Sequence, residues 1–236
     1  IMELNSRVAD IVSIFDKGLE GHNAEKTNFN KQYWDSYYSS GDHSVRNMPP
    51  SQFAAFCLIE MQEMAIVNLV EIASGNGRDA LFFGDHGIKV LATDSSEEAV
   101  KLLEERSNGH PKVNVLNYDA TKKSVGFKRD CESKTAFYAR FFLHTLDDNG
   151  LHKFFKNVSS IMRPGDMLFL EYRNIEDSSA PKVTKAHFRA FHGAEKISKI
   201  SKANHLKSIY EVSGRGFAKW RQDDAFITRQ IFEYHV

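Results

Sequence analysis

The stretch from Ile66 to Ala80 constrains the fold more than any other part of the chain. Ile66–Ile72 is a short, mostly apolar run, the pattern of a buried strand. It leads directly into Ala73-Ser74-Gly75-Asn76-Gly77, and helical spacing follows over Arg78–His86. Gly75 and Gly77 lack a Cβ, so the backbone can turn tightly and let a ligand approach. Strand, glycine turn and helix together open a βαβ unit. The alternation continues. Ile88–Thr93 is a second apolar run closed by Asp94, and Ser95/Ser96 with Glu97 and Glu98 opens a helix to about Ser107. Val113–Leu116, Thr135–Phe142 and Met167–Tyr172 read as strands, and Leu146–Met162 as a helix ended by Arg163-Pro164-Gly165. This predicts right-handed crossovers and a parallel sheet covered on both faces. Leu206–Val212 and Ala225–Tyr234 are strand-like with no long helix between them, which predicts an antiparallel pair added to that sheet. Lys182–Phe191 reads as helical.

Ahead of this region, Leu4, Val8, Ile11, Val12 and Phe15 fall at helical spacing and Gly18 stops them. Residues 21–48 contain an aromatic cluster of Phe29, Tyr33, Trp34, Tyr37 and Tyr38. Pro49-Pro50-Ser51 opens a helix over Phe53–Met64. The expected division is a helical and aromatic segment over 1–50 and one α/β domain over 51–236.

Composition removes several classes. Lys+Arg and Asp+Glu number 31 each, so the basic excess of a nucleic-acid binder is missing. Cys57 and Cys131 lie far apart and read as free thiols in a reducing compartment. No stretch approaches the ~18 apolar residues of a membrane span. Met2–Phe15 is broken by Glu3, Arg7 and Asp10, unlike a signal peptide, and the expected location is cytoplasmic. Ile1 stands before Met2, as in a fragment, which leaves room for a fused or associated enzyme. No set of His, Cys and carboxylates has zinc spacing, so no metal is expected.

Asp94 ends the second strand seventeen residues after Gly77. A carboxylate there can accept hydrogen bonds from both hydroxyls of a ribose. Gly75-x-Gly77-x-x-Ala80 also satisfies the dinucleotide pattern, so an NAD-dependent oxidoreductase is a competing reading. Glu71 argues against it, because a carboxylate beside the helix N-terminus would repel a pyrophosphate. It suits a ligand bearing an ammonium and a sulfonium, which describes S-adenosylmethionine.

Glu71-x-Ala73-x-Gly75-x-Gly77 resembles motif I of the class I S-adenosylmethionine-dependent methyltransferases, and Asp94 is similar to their motif II acid. The resemblance implies a Rossmann-like seven-stranded sheet of order 3-2-1-4-5-7-6 with the last strand antiparallel and helices on both faces. It implies S-adenosylmethionine as cofactor, S-adenosylhomocysteine as product, and contacts from Glu71, Ala73, Gly75, Gly77, Asp94 and Ser95. Ala73 stands where the family usually has glycine. By the same resemblance, Asn117-Tyr118-Asp119-Ala120 falls where the family binds adenine. Asp119 would accept from the exocyclic amine, and Tyr118 or Ala120 would flank the ring. Helix capping by Asp119 is the alternative. Tyr33, Trp34, Tyr37 and Tyr38 would form a lid, with Trp34 and Tyr37 against the sulfonium. Plain packing of an N-terminal helix is the alternative.

The carboxyl ends of the fourth and fifth strands deliver Arg140, His144, Glu171 and Arg173 towards one rim. His144 is the candidate base for an acceptor proton. Arg140, Arg173 and Arg189 are candidates for binding a phosphate or carboxylate on the acceptor, with ion pairing to Glu171, Glu176 or Asp177 as the alternative. Arg-Phe-Phe-Leu-His followed by Glu-x-Arg, Tyr33-Trp34-Asp35-x-Tyr37-Tyr38, and the ending Gly216-Phe217-Ala218-Lys219-Trp220 with Asp223, Asp224 and Arg229 resemble a bacterial subgroup associated with surface-polysaccharide biosynthesis. That resemblance implies methyl transfer to an oxygen of a small molecule or glycan, such as a sugar or phosphate group, beside a fused or associated polysaccharide-synthesis enzyme. N-methylation of a small amine and a non-catalytic cofactor-binding subunit remain alternatives. Lys196, Lys199, Lys202 and Lys207 form a basic stretch that reads as a solvated face.

Overall fold

The computed structural model describes residues 31–39, 49–122, 133–178, 188–219 and 222–235. Helix α1 covers 31–39. The chain then runs α2 (Gln52–Glu63), β1 (Asn68–Ile72), α3 (Arg78–Asp85), β2 (Lys89–Asp94), α4 (Glu97–Arg106), β3 (Val113–Asn117), β4 (Thr135–Arg140), α5 (Asp148–Ser159), β5 (Met167–Arg173), α6 (Ala194–Ala203), β6 (Leu206–Gly214) and β7 (Ile227–Tyr234). Short 3-10 turns at Leu143–Thr145 and Ile175–Asp177 follow β4 and β5. The seven strands form one sheet of order β3-β2-β1-β4-β5-β7-β6. β1 to β5 pair in parallel, and β7 is antiparallel to both β5 and β6.

Side-chain parity sorts each strand between two apolar layers. Leu69, Ala136, Tyr138, Met167, Phe169 and Ile231 join one layer with Phe53 and Met61 of α2 and Phe83 of α3. Val70, Phe137, Leu168, Leu170 and Phe232 join the other, with Leu151 and Phe154 of α5 and Ile197 of α6. The helices start where their caps dictate. Ser51, Ser96 and Asp147 accept hydrogen bonds from the backbone N–H groups of Ala54, Ala99 and Gly150.

The first layer also carries charge. In register, Arg140 lies beside Glu171 and Glu171 beside Arg229. Arg140 Nε donates to Glu171 Oε1 and Arg229 Nε to Oε2, both at 2.8 Å. Glu171 is fully buried. Arg229 also donates to the carbonyl of Phe217 and lies over the rings of Phe53, Phe56 and Phe217.

One sequence expectation differs from the structure, and another is met by an unexpected helix. Within the expected Lys182–Phe191 helix, residues 188–191 are irregular and 182–187 lie outside the described residues. Lys207 of the lysine-rich stretch read as a solvated face lies on β6, and Lys196, Lys199 and Lys202 lie on α6. Ile197 and Ile200 of that helix are buried, while Lys199 and Lys202 face solvent. The expected helix over Leu4–Phe15, Phe29, Cys131 and Trp220 lie outside the described residues. Cys57 is a buried free thiol. No helix among the described residues is long and apolar enough to cross a membrane.

Replacing Glu171 by Ala should cost about 3–5 kcal/mol of stability, because it leaves two guanidinium groups buried without their carboxylate. Urea unfolding checks this, and an unchanged midpoint would contradict the pairing.

Candidate functional site

The turn after β1 is built from left-handed backbone. Ala73, Gly75 and Gly77 have φ of 57°, 55° and 73°. For Ala73 this conformation costs about 1–2 kcal/mol that glycine would escape. It also explains why a glycine is usual there among the proteins this motif resembles. Ser74 N donates to the Thr93 carbonyl at 2.9 Å, tying the turn to the end of β2. Gly77 is the N-cap of α3, and a Cβ on it would collide with Leu103 of α4. A Cβ on Gly75 would collide with the Tyr38 hydroxyl.

Asp94 closes the other side of the turn. Its Oδ2 accepts from Gly75 N and its Oδ1 from Ser96 N, each at 2.9 Å. Two acceptors on a carboxylate leave further lone-pair sites, so the group can still receive ribose hydroxyls. Burial raises the Asp94 carboxyl above its ordinary value, against the pull of the backbone donors Ser96, Gly75 and Ser95. Ser95 is exposed, while Ser96 is buried and caps α4.

Glu71 sits on the layer that holds α3 and is 4% exposed. Its Oε2 has no hydrogen-bond partner among the described residues. Burial first, then the Asp79 carboxylate, push its carboxyl well above the usual range. Asp79 is satisfied where Glu71 is not. It accepts from Ser51 N at 2.8 Å, Ser51 Oγ at 2.7 Å and the Tyr138 hydroxyl at 2.9 Å, and Arg78 Nε lies 3.3 Å away. Burial alone would raise Asp79, but Arg140, Arg78 and Ser51 outweigh it and hold the group below its ordinary value.

Helix α1 lies over this turn. Asp35 Oδ1 accepts from Ser96 Oγ at 2.5 Å, and Lys31 pairs with Glu97 at 3.4 Å. Tyr33, Trp34, Tyr37 and Tyr38 form one aromatic cluster with ring centroids 5.1–6.2 Å apart. Tyr38 reaches the turn, and burial together with Asp94 pushes its phenol well above the ordinary value. From the sequence, Trp34 and Tyr37 are the expected contacts. The position that faces Gly75 is Tyr38, and only its place in the helix relative to the turn reveals that.

The remaining candidates divide. Asp119 Oδ1 accepts from the backbone N–H and hydroxyl of Thr121, so it caps its own turn. Ala120 is buried, and its carbonyl accepts from Asn157 at 3.1 Å. His144 is buried in the 3-10 turn after β4, and its ring lies edge-on to Phe141 with centroids 5.7 Å apart. Phe141 has φ of 54° and carries the Arg140 guanidinium 4.2 Å above its ring, with Arg173 at 5.5 Å. Arg140, His144 and Arg173 are thus brought together around Phe141. Glu171 lies beneath them, wholly engaged by Arg140 and Arg229. Arg173 pairs with Asp177 at 2.6 Å and with Asp223. Burial and the neighbouring charge of Arg173 hold Arg189 below the ordinary guanidinium value. His192 is buried, with Nε2 3.0 Å from the Leu146 carbonyl. Among the described residues no group of three or more His, Cys, Asp or Glu could hold a metal ion.

Glycine turn, strand-end acid and buried carboxylate meet at the carboxyl edge of the parallel sheet of an α/β protein, the edge where ligands bind in such folds. Residues 69–165 match the family model described as a methyltransferase domain. The sheet order is that of the class I methyltransferase fold. It is 25% identical over 137 residues to glycine N-methyltransferase of Mus musculus, covering 53% of this chain and 47% of that protein. It is 24% identical over 187 residues to phosphoethanolamine N-methyltransferase 1 of Caenorhabditis elegans, covering 76% of this chain and 37% of that protein. The chain therefore spans less than half the length of either relative. The structure is similar to that of N-methyltransferase NodS from Bradyrhizobium japonicum in complex with S-adenosyl-L-homocysteine. That match has a TM-score of 0.64 and 15% identity, and covers 88% of this chain and all of the other.

The raised carboxyl of Glu71 makes stability depend on pH. Between its unfolded and folded values the folded chain binds more protons, so stability falls as pH rises. Glu71→Gln should therefore unfold at higher denaturant than the parent near neutral pH, with the gap closing in acid below the ordinary glutamate range. Parallel urea titrations at the two pH values test this.

Proposed function

We propose that this chain transfers a methyl group from S-adenosylmethionine to a small acceptor. The observation that carries the reading is the meeting of Glu71, the Gly75–Gly77 turn and Asp94 at one sheet edge inside a methyltransferase domain. These residues fit the cofactor. Asp94 offers acceptors for the ribose hydroxyls, the glycines admit close approach, and the orphaned Glu71 oxygen calls for a cationic donor. A dinucleotide pyrophosphate would meet that same carboxylate unfavourably, which speaks against the NAD reading. Bound there, the cofactor supplies an activated methyl group. The chain's residues then align the acceptor and exclude water. Helix α1 serves as a lid, closing the turn through Tyr38 and the Asp35–Ser96 hydrogen bond.

The acceptor atom is a nitrogen of a small amine bearing an anionic group. The two mammalian and nematode relatives are named for glycine and phosphoethanolamine, which each combine an amine with an anion. Arg189, beside the Arg173 side chain that Asp177 and Asp223 already engage, supplies the matching cation. Near neutral pH such an amine is protonated and must lose a proton before its lone pair can attack. His144 takes that role at the same rim. His144 equally supports a second reading, transfer to an oxygen of a sugar or other glycan acceptor beside a polysaccharide-synthesis enzyme. The named relatives favour nitrogen.

Calorimetric titration should show binding of S-adenosylmethionine and S-adenosylhomocysteine but not NAD. Asp94→Ala should weaken it by about 10- to 100-fold. In turnover assays with glycine, phosphoethanolamine and phosphorylated sugars, His144→Ala should lower kcat by about 10²-fold while leaving cofactor affinity in place. Preference for the sugars would overturn the nitrogen assignment, and full kcat in the His144 variant would remove it as base.

A further inference from the structure

We infer that Glu71 is a neutral carboxylic acid in the ligand-free protein, and that capture of the cofactor's ammonium drives its proton out to solvent. The inference rests on the cofactor reading above and concerns how that site is loaded. Its first support is geometric. Glu71 is 4% exposed, lies one residue before the end of β1, and holds Oε2 without a partner among the described residues.

The groups that face it come from four other elements. Asp79 and Arg78 belong to α3, Asp94 to β2, Arg140 and Tyr138 to β4, and Tyr38 to α1. Two of these are cations, and each is already engaged. Arg78 lies 3.3 Å from Asp79, and Arg140 lies 2.8 Å from Glu171. The two carboxylates, Asp79 and Asp94, are held by two or more donors each. A third carboxylate charge at Glu71 would be buried with no donor of its own at Oε2, whereas a neutral acid avoids that cost. Burial and the Asp79 charge act in the same direction.

An incoming ammonium reverses the balance. It brings N–H donors and a positive charge to Oε2. The carboxyl O–H bond then breaks, the proton passes to solvent, and the ammonium keeps its three hydrogens. Affinity for the amino-acid arm therefore rises with pH, by up to about tenfold per unit, and levels off once the ligand-free protein has itself lost the proton.

Calorimetry near neutral pH, in two buffers of different ionisation enthalpy, reads the proton directly. S-adenosylmethionine and S-adenosylhomocysteine should each release up to about one proton per site. 5′-Methylthioadenosine keeps the adenosine and thioether but lacks the amino-acid arm, and should release none. Glu71→Gln should abolish the release with S-adenosylhomocysteine while still binding 5′-methylthioadenosine, which shows that the variant is folded. Binding of S-adenosylhomocysteine without proton release would overturn the inference and leave the cofactor reading intact. Equal release with 5′-methylthioadenosine, or release that survives in Glu71→Gln, would assign the proton to Asp94 instead. No binding by any of the three would overturn the cofactor reading and this inference with it.

Discussion

The site depends on one geometric constraint, the two-residue side-chain period of strands paired in fixed register. Leu69 and Glu71, Tyr138 and Arg140, Phe169 and Glu171, and Ile231 and Arg229 share parity, and so share the face covered by α2 and α3. The register sets Arg140, Glu171 and Arg229 side by side. A slip of one residue in β5 would turn Glu171 into the opposite layer, against the apolar Phe154 and Phe155 of α5 and away from Arg140 and Arg229. The charged row is therefore part of what specifies strand pairing at the centre of the sheet. It is also what supports the rim above it, because Phe141 leaves β4 directly after Arg140, and its backbone N–H bonds the Glu171 carbonyl.

Much of this was legible in the sequence because the informative signals are local. Apolar runs of five to seven residues mark the central strands, caps such as Ser96 mark helix starts, and the turn at Ala73–Gly77 announces its own backbone conformation. What was not legible depends on partners distant in the chain. Glu171 at a strand end looks like a rim acid, and Arg229 lies 58 residues away, so nothing local shows that both its oxygens are occupied. Asp119 reads equally well as an adenine contact or as a helix cap, and the bond its Oδ1 makes is a local turn with Thr121 two residues on. The lysines of α6 masked a helix because charge dominates the stretch, although Ile197 and Ile200 at i, i+3 were the signal. Among four clustered aromatics, the one at the turn is set by how α1 docks on α4, through Asp35 and Ser96.

The same contrast explains how two buried carboxylates on one face come to differ. Asp79 receives three hydrogen bonds, two from Ser51 at the entrance of α2 and one from Tyr138, with Arg78 beside it. Its charge is settled within the fold, and it fastens α2, α3 and β4 together. Because Asp79 keeps its charge, the adjacent Glu71 is discouraged from carrying another. Neighbouring acids whose environments push them apart commonly mark a division of labour. Here the division runs between an acid that holds the scaffold and an acid left short of a partner at the edge where the strands end. The orphaned oxygen leaves the folded chain short of a donor, and a cation arriving at the turn would supply one without rearranging the network behind. That links the strained turn, the satisfied Asp79 and the unsatisfied Glu71 into a single arrangement. The scaffold supplies rigidity from β4 and α2, and in doing so leaves the site electrostatically incomplete in the sense that suits a positively charged ligand.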